Sequence, residues 1–192
     1  MGAVEETYEA FAGSARLDTV ADFSPGAVTP LLTKGAALRP AARGELAPGV
    51  TGTIARFAYG AGFTYQVVFA EIGESQGFVP RLQCERKGRI TDNVHYGFEL
   101  RTSRLWTESE VLNERYRVTV SPFQDDNWLR QLFTPTFIDY LAHTPPADFS
   151  FELAYGSLLC SLEEDDPSAD GLRALWDASA TVATRIREES TE

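Results

Sequence analysis

Histidine, cysteine and lysine each occur only twice in this chain of 192 residues, and methionine once. Each scarcity removes a class of chemistry. Nucleophilic hydrolysis needs a serine or cysteine beside a histidine that an acid orients. With only His95 and His143 and no G-x-S-x-G turn, there is little to build one from. Ser157, in "YGSLLC", falls in a hairpin turn, where glycine supplies positive φ and serine a local hydrogen bond. The same two histidines are too few for a zinc site. Cys84 and Cys160 sit at apolar positions of expected strands, as buried small hydrophobes do in a reducing compartment. No cofactor and no metal are expected, and the chain reads as non-enzymatic.

Long apolar runs are absent too. No stretch of about 18 apolar residues is present, so no helix is expected to insert in a membrane. The opening "MGAVEETYEAFAG" carries acids where a secretory signal needs positive charge, and Glu6 breaks the myristoylation pattern that Met1 and Gly2 suggest. A cytoplasmic address follows as the expectation.

Charge of one sign dominates. The net charge is -11, and the last 42 residues hold ten acids against Arg173, Arg185 and Arg187. Such a field repels phosphate backbones, so no nucleic-acid partner is expected. The one basic cluster, Arg81, Arg86, Lys87 and Arg89 around Glu85, lacks the interleaved aromatics of a single-strand binder and reads as a polar strand end. "AYGAGF" lacks the lysine of a phosphate loop. "EEDDP" lacks the ligand spacing of a calcium loop and reads as a helix cap. Glu108, Glu110 and Glu114 lie near an expected helix start, where the dipole favours acids.

What is present is pattern. Val4, Tyr8, Phe11 and Ala12 share a helical face. Pro25, Pro30, Pro40 and Pro48 then punctuate a Gly, Pro and Ala-rich passage that reads as an extended cover whose Phe23, Leu31, Leu32 and Leu38 are expected to dock on the body, with a partly mobile linker as the competing reading. From Thr51 the period becomes two, in "TIARFAY", "TYQVVFAEI", "FVPRLQC" and "YGFELR". Thr107 with Glu110 forms a capping-box pattern before "YRVTV", whose Tyr116, Val118 and Val120 face inward. Two short helices or one kinked helix follow, the first capped by Asp125 or Asp126 and the second by Thr134 with Pro135 at its first position. Next comes a hairpin, "FSFELAYGSLLCSLEE". The last element is a helix capped at Asp166, with Leu172, Leu175, Trp176, Ser179, Val182, Ala183 and Ile186 on one stripe.

These signals predict an α+β fold: a mainly antiparallel sheet, amphipathic helices packed on one face, and a long C-terminal helix. Residues 1-50 read as an N-terminal helix and covering segment, and 51-192 as the α+β domain.

The order of "ESEVLNERYRV", "LFTPTFIDYL" and "FSFELAYGSLLC" resembles an uncharacterised bacterial family of unknown function, common in high-GC Gram-positives. Its members show E-S-x-x-F-N-R-x-F-x-V, then a T-P-x-x-x-x-x-L helix, then a hairpin with G-x-x-L. Glu108, Ser109, Asn113, Tyr116 and Val118 fit the first; Leu112 and Glu114 depart from it. Thr134, Pro135 and Leu141 fit the second, and Gly156 and Leu159 the third. The likeness spans roughly Gly44 to Arg187. Family members often carry a membrane anchor that this chain lacks, and the resemblance implies no activity.

The function expected is a cytoplasmic domain that binds a protein, as an acidic adaptor or chaperone-like subunit. A homo-oligomer is one form the partnership can take. The candidate surface is the edge holding Trp106, Glu108, Arg115 and Arg117. The alternative is a small-molecule or lipid-binding module with a cavity between the sheet and the C-terminal helix, lined by aromatics such as Phe57, Tyr65, Phe69 and Phe98.

Overall fold

A computed structural model describes residues 2–21, 23–25, 29, 31–32, 38–59, 63–72, 81–88, 103–121, 126–154 and 156–190. "YGFELR", Phe98 and Asp125 lie outside them. Helix α1 spans Ala3–Ala15, and strands β1 (Asp18–Val20) and β2 (Ala41–Ala47) follow. Strands β3 (Val50–Tyr59), β4 (Phe63–Glu71), β5 (Leu82–Arg86) and β6 (Ser103–Leu105) lead to helix α2 (Glu110–Arg115) and β7 (Tyr116–Val120). Helices α3 (Asp126–Leu132) and α4 (Pro135–His143) precede the hairpin of β8 (Ser150–Ala154) and β9 (Ser157–Glu163). Helix α5 (Ala169–Ser190) is last.

The strands form one sheet in the order β1-β2-β3-β4-β9-β8-β5-β7-β6, and its pairs are antiparallel. The α+β class is thus the observed one. Residues 1-50 are more than a cover, however, because β1 and β2 extend the sheet. The sheet therefore begins before the period-two reading at Thr51, with β1 at Asp18 and β2 at Ala41. Alanine and glycine in "AARGELA" hid it, since they carry too little side chain to reveal a phase. The turn joining β2 to β3 is Pro48-Gly49, with Gly49 at φ 70, where a side chain would be strained.

Period two divides the sheet into two faces. Ile54, Val68, Leu158, Cys160, Leu162, Phe151, Leu153, Leu82, Cys84, Val118 and Val120 point to the side where all five helices pack. The stripe read from α5 is buried here as expected, including Leu172, Leu175, Val182 and Ile186. The opposite side carries Ala55, Phe57, Tyr65, Val67, Phe69 and Leu159, sealed by Leu31, Leu32 and Leu38 with Val20 and Phe23 at the margin. Phe23 lies 5.6 Å from Phe69 between ring centroids, and its backbone bridges to Leu38. Phe23, Leu31, Leu32 and Leu38 of the proline-rich passage thus pack on this face of the sheet.

Two caps differ from the sequence reading. Ser109, not Thr107, accepts from the Leu112 amide at 3.2 Å to start α2. Thr107 instead exchanges bonds with Asn113, whose side-chain amide donates to the Thr107 carbonyl at 2.6 Å. At α5 the Ser168 hydroxyl accepts from Gly171 at 3.0 Å, in place of Asp166. Serine and aspartate are comparable caps, so which one serves depends on where the chain enters the helix. Thr134 caps α4 as read, accepting from Phe137 with Pro135 at the first position.

One buried polar contact fixes α1 on the sheet. The Tyr8 hydroxyl donates to Gln66 Oε1 at 2.7 Å, and Gln66 Nε2 donates to the Glu164 carbonyl at 2.7 Å. Burial raises the phenol pKa, so Tyr8 stays a donor at any physiological pH. Tyr8→Phe leaves Gln66 Oε1 buried without its donor, which costs about 1–3 kcal/mol. Thermal unfolding of that variant should show a lowered Tm with unchanged far-UV circular dichroism.

Candidate functional site

Three places on this scaffold carry polar or apolar groups beyond what packing needs. The first is the free end of the sheet. Strand β6 pairs only with β7 among the described residues, placing Arg104 opposite Thr119 and Leu105 opposite Val118. Leu105 turns to the helical side, so Arg104 and Trp106 share the other face. Trp106 is 63% exposed, and the Arg104 guanidinium sits 3.6 Å from its ring centroid. Val111, on α2, is 44% exposed; these two are the large hydrophobic residues left exposed among those described.

Of the four residues read from sequence, Trp106 is thus the most prominent. Arg117 lies on the same face, half-buried, paired with Glu85 of β5. Continuing the register by one residue brings Trp106 level with Arg117. Glu108 is exposed in the connection to α2. Arg115 closes α2, and its carbonyl accepts from the Lys87 amide at 2.9 Å and from Arg86 Nη1 at 3.2 Å. Its main chain thus serves to tie the helix end to the β5 turn. Sequence reading missed Arg104 and Val111. The R-x-W spacing that stacks a guanidinium on an indole along one strand face is the signal for the first.

The second place is inside. Glu152, on β8, points to the face away from the helices and is only 7% exposed. Its Oε1 accepts from the Leu31 amide at 2.8 Å, a contact 121 residues apart in sequence. Gln83, opposite it on β5, bonds the same carboxyl, and the Thr119 hydroxyl donates to Gln83 Oε1 at 3.4 Å. Thr29 helps hold the carboxylate charged from close by, though its hydroxyl closes no hydrogen bond of ordinary geometry. Burial is the largest influence and raises the pKa to about 7, with the Glu85 charge adding to it and the hydrogen bonds opposing. The alternation of "SFELA" puts Glu152 on the face opposite Phe151 and Leu153, a position that is commonly solvated on a one-sided sheet. The covering segment reverses that.

Among the described residues no three histidine, cysteine, aspartate or glutamate side chains stand close enough to hold a metal ion. Cys84 and Cys160 are buried and unbridged. Burial pushes both thiols up, Cys160 to about 12, so neither is a ready nucleophile.

The third place is an open groove of about 590 Å³ between α4, α5 and the β2–β3 turn. Leu46, Ala47, Phe137, Tyr140 and Ala180 line its apolar part, and Thr136, Thr181, Thr184, Arg185 and Glu188 its polar part. It lies on the helical side. Phe57, Tyr65 and Phe69, expected as cavity lining, are instead packed under the covering segment on the opposite face.

No known family, curated protein or solved structure matches this chain. No helix among the described residues is long and apolar enough to cross a membrane.

Glu152 yields a pH test. Its folded pKa lies above the ordinary 4.5, so the neutral form is the one folding favours. That contribution is complete below pH 4.5 and is lost as pH rises to about 7. Glu152→Gln keeps an acceptor for Leu31 without the titration. The variant should gain on wild type as pH rises from 5 to 8, by an amount on the order of 1–3 kcal/mol. Chemical denaturation across that range measures the difference.

Proposed function

We propose that this chain is a non-enzymatic, cytoplasmic protein-binding domain, an acidic adaptor or chaperone-like subunit, and that its contact surface is the free end of the sheet. The observation that carries the reading is Trp106, exposed just past the end of β6 with the Arg104 guanidinium stacked on it. An aromatic and an arginine are among the residue types that dominate binding energy at protein interfaces. The aliphatic and aromatic surface left in water there is a standing cost that a partner relieves.

Charge supports a protein with an acidic contact face. The described residues from 81 to 121 carry Arg81, Arg86, Lys87, Arg104, Arg115 and Arg117 against Glu85, Glu108, Glu110 and Glu114, in a chain whose net charge is -11. This local excess of two cations steers an acidic surface to the patch and repels it elsewhere. Two buried, unbridged thiols suit a reducing compartment. We also place the chain with the uncharacterised bacterial family on its motifs. Those motifs are structural here: Ser109 and Thr134 cap helices, Tyr116, Val118 and Leu141 are buried, and Gly156 turns the hairpin at φ 78.

The test compares wild type with a Trp106→Ala, Val111→Ser double variant, both purified from the native host and weighed by native mass spectrometry. A defined protein partner, or a second copy, should accompany the wild type and fall by about tenfold or more with the variant. Equal recovery by both would move the interface elsewhere, and a bare monomer from the native host would remove the reading.

A further inference from the structure

The covering segment is hinged at one point of the sheet. Val20, the last residue of β1, pairs with Ala41, the first of β2, so the chain from 21 to 40 leaves the sheet and returns to it at adjacent positions. Just beyond that point Phe23 and Leu38 face each other, their amides donating to one another's carbonyls at 3.4 and 3.2 Å. An excursion whose two ends are paired with each other can lift away while the strand pairs of the sheet stay in place. Its far contact is Leu31, whose amide donates to Glu152 Oε1 at 2.8 Å. Glu152 lies on β8, which is four strand spacings from β2, or about 19 Å.

The group at that far contact is one that burial disfavours in its charged form. From β5, Gln83 bonds the Glu152 carboxyl, and alternation puts Arg81 and Glu85 on either side of Gln83 on the same face. Strand β7 sets Thr119 opposite Gln83 and Arg117 opposite Glu85. Strand β9 sets Leu159 opposite Glu152, with Ser157 and Ser161 flanking it and Glu71 of β4 beyond Ser157. Thr29, Leu31 and Leu32 bring no titratable group. Burial outweighs the hydrogen bonds in this setting, and the Glu85 charge acts with it. The Thr29 hydroxyl is buried there without a hydrogen bond of ordinary geometry, a second polar cost of docking. Leu31, Leu32 and Leu38 oppose those costs by packing on the apolar part of the same face.

We propose that the excursion between β1 and β2 is a proton-operated strap, held on the sheet while Glu152 keeps its proton and released as that carboxyl ionises, uncovering Phe57, Phe69 and Leu159. The device is independent of the Trp106 surface. Its sign follows from which state holds the proton more tightly. Covered, Glu152 is protonated up to about pH 7; returned to water by release of the strap, it ionises around the ordinary 4.5. Acid therefore favours closure. The opening constant is lowest below pH 4.5, climbs through the window between the two values, and levels off above about 7.

Amide hydrogen exchange resolved by NMR reads the strap directly, each rate divided by the intrinsic chemical rate of that amide at the same pH. The reporters are the Leu31, Phe23 and Leu38 amides, and the ladder amides of β9 report opening of the whole sheet. In the full-length wild type the strap amides should be less protected than those of β9, and their opening constant should rise about tenfold or more from pH 5 to pH 7.5. Glu152→Gln should remove that rise. Leu32→Ala, which takes away an apolar contact and leaves the carboxyl, should raise strap opening by a similar factor at every pH and keep the slope. Strap amides that exchange only together with β9 would overturn the proposal, since release would then be global unfolding. A pH-independent opening constant in wild type, or an unchanged slope in Glu152→Gln, would overturn it as well.

Discussion

The β8–β9 hairpin is the constraint on which the rest of the sheet depends. Strand β9 pairs with β4 over seven residue pairs and β8 pairs with β5 over three, so the hairpin joins β1–β4 to the group β5, β7 and β6. Without it those two groups share no strand contact in the sheet. Every described residue from Ser150 to Ala154 and from Gly156 to Leu162 is buried, on both faces. Phe151, Leu153, Leu158 and Cys160 feed the core under the helices, while Leu159 feeds the core under the covering segment. Such a strand pair gains burial twice, and its ladder hydrogen bonds are shielded from water throughout.

The helical face and the covered face are stabilised differently. Helices bring wide apolar stripes, and Tyr8 and Gln66 fix α1 by a direct buried bond. The described residues of the covering segment contribute Leu31, Leu32 and Leu38 together with the amide bond from Leu31 to Glu152. A buried carboxyl is costly unless it is bonded or protonated. Here it is both well bonded and shifted towards protonation, so docking of the N-terminal segment and the proton affinity of Glu152 are linked.

Side chains left open to solvent fall where this two-sided packing ends. At one extremity the last strand leaves an indole and its guanidinium lid in water; on the other side of the sheet, short residues on α5 leave a trough beside α4. The segment from Thr107 to Val120 is rich in glutamates and arginines. In the fold its alternation sends Tyr116, Val118 and Val120 inward, Ser109 caps, and the Arg115 carbonyl anchors the β5 turn. Only the apolar exceptions on its margin, Trp106 and Val111, remain without a packing role.

Local chemistry was legible in the sequence wherever one residue type dictates one geometry. Thr134-Pro135 starts a helix, Gly156 turns a hairpin, alternation marks β4, β7, β8 and β9, and the period of 3.6 marks α1 and α5. These are short-range consequences of sterics and burial that hold in any surroundings. The strand "AARGELA" was not legible, because small side chains carry no phase, and the choice between neighbouring caps depended on chain entry. What only the tertiary structure decided was juxtaposition. Glu152 became a buried, proton-binding group because Leu31 arrives from 121 residues away. Phe57, Tyr65 and Phe69 became core when the same segment covered them. The groove exists because α4, α5 and the β2–β3 turn meet. Such contacts come from the global order of strands, which pairs of distant segments settle by burying surface together and which no local pattern encodes.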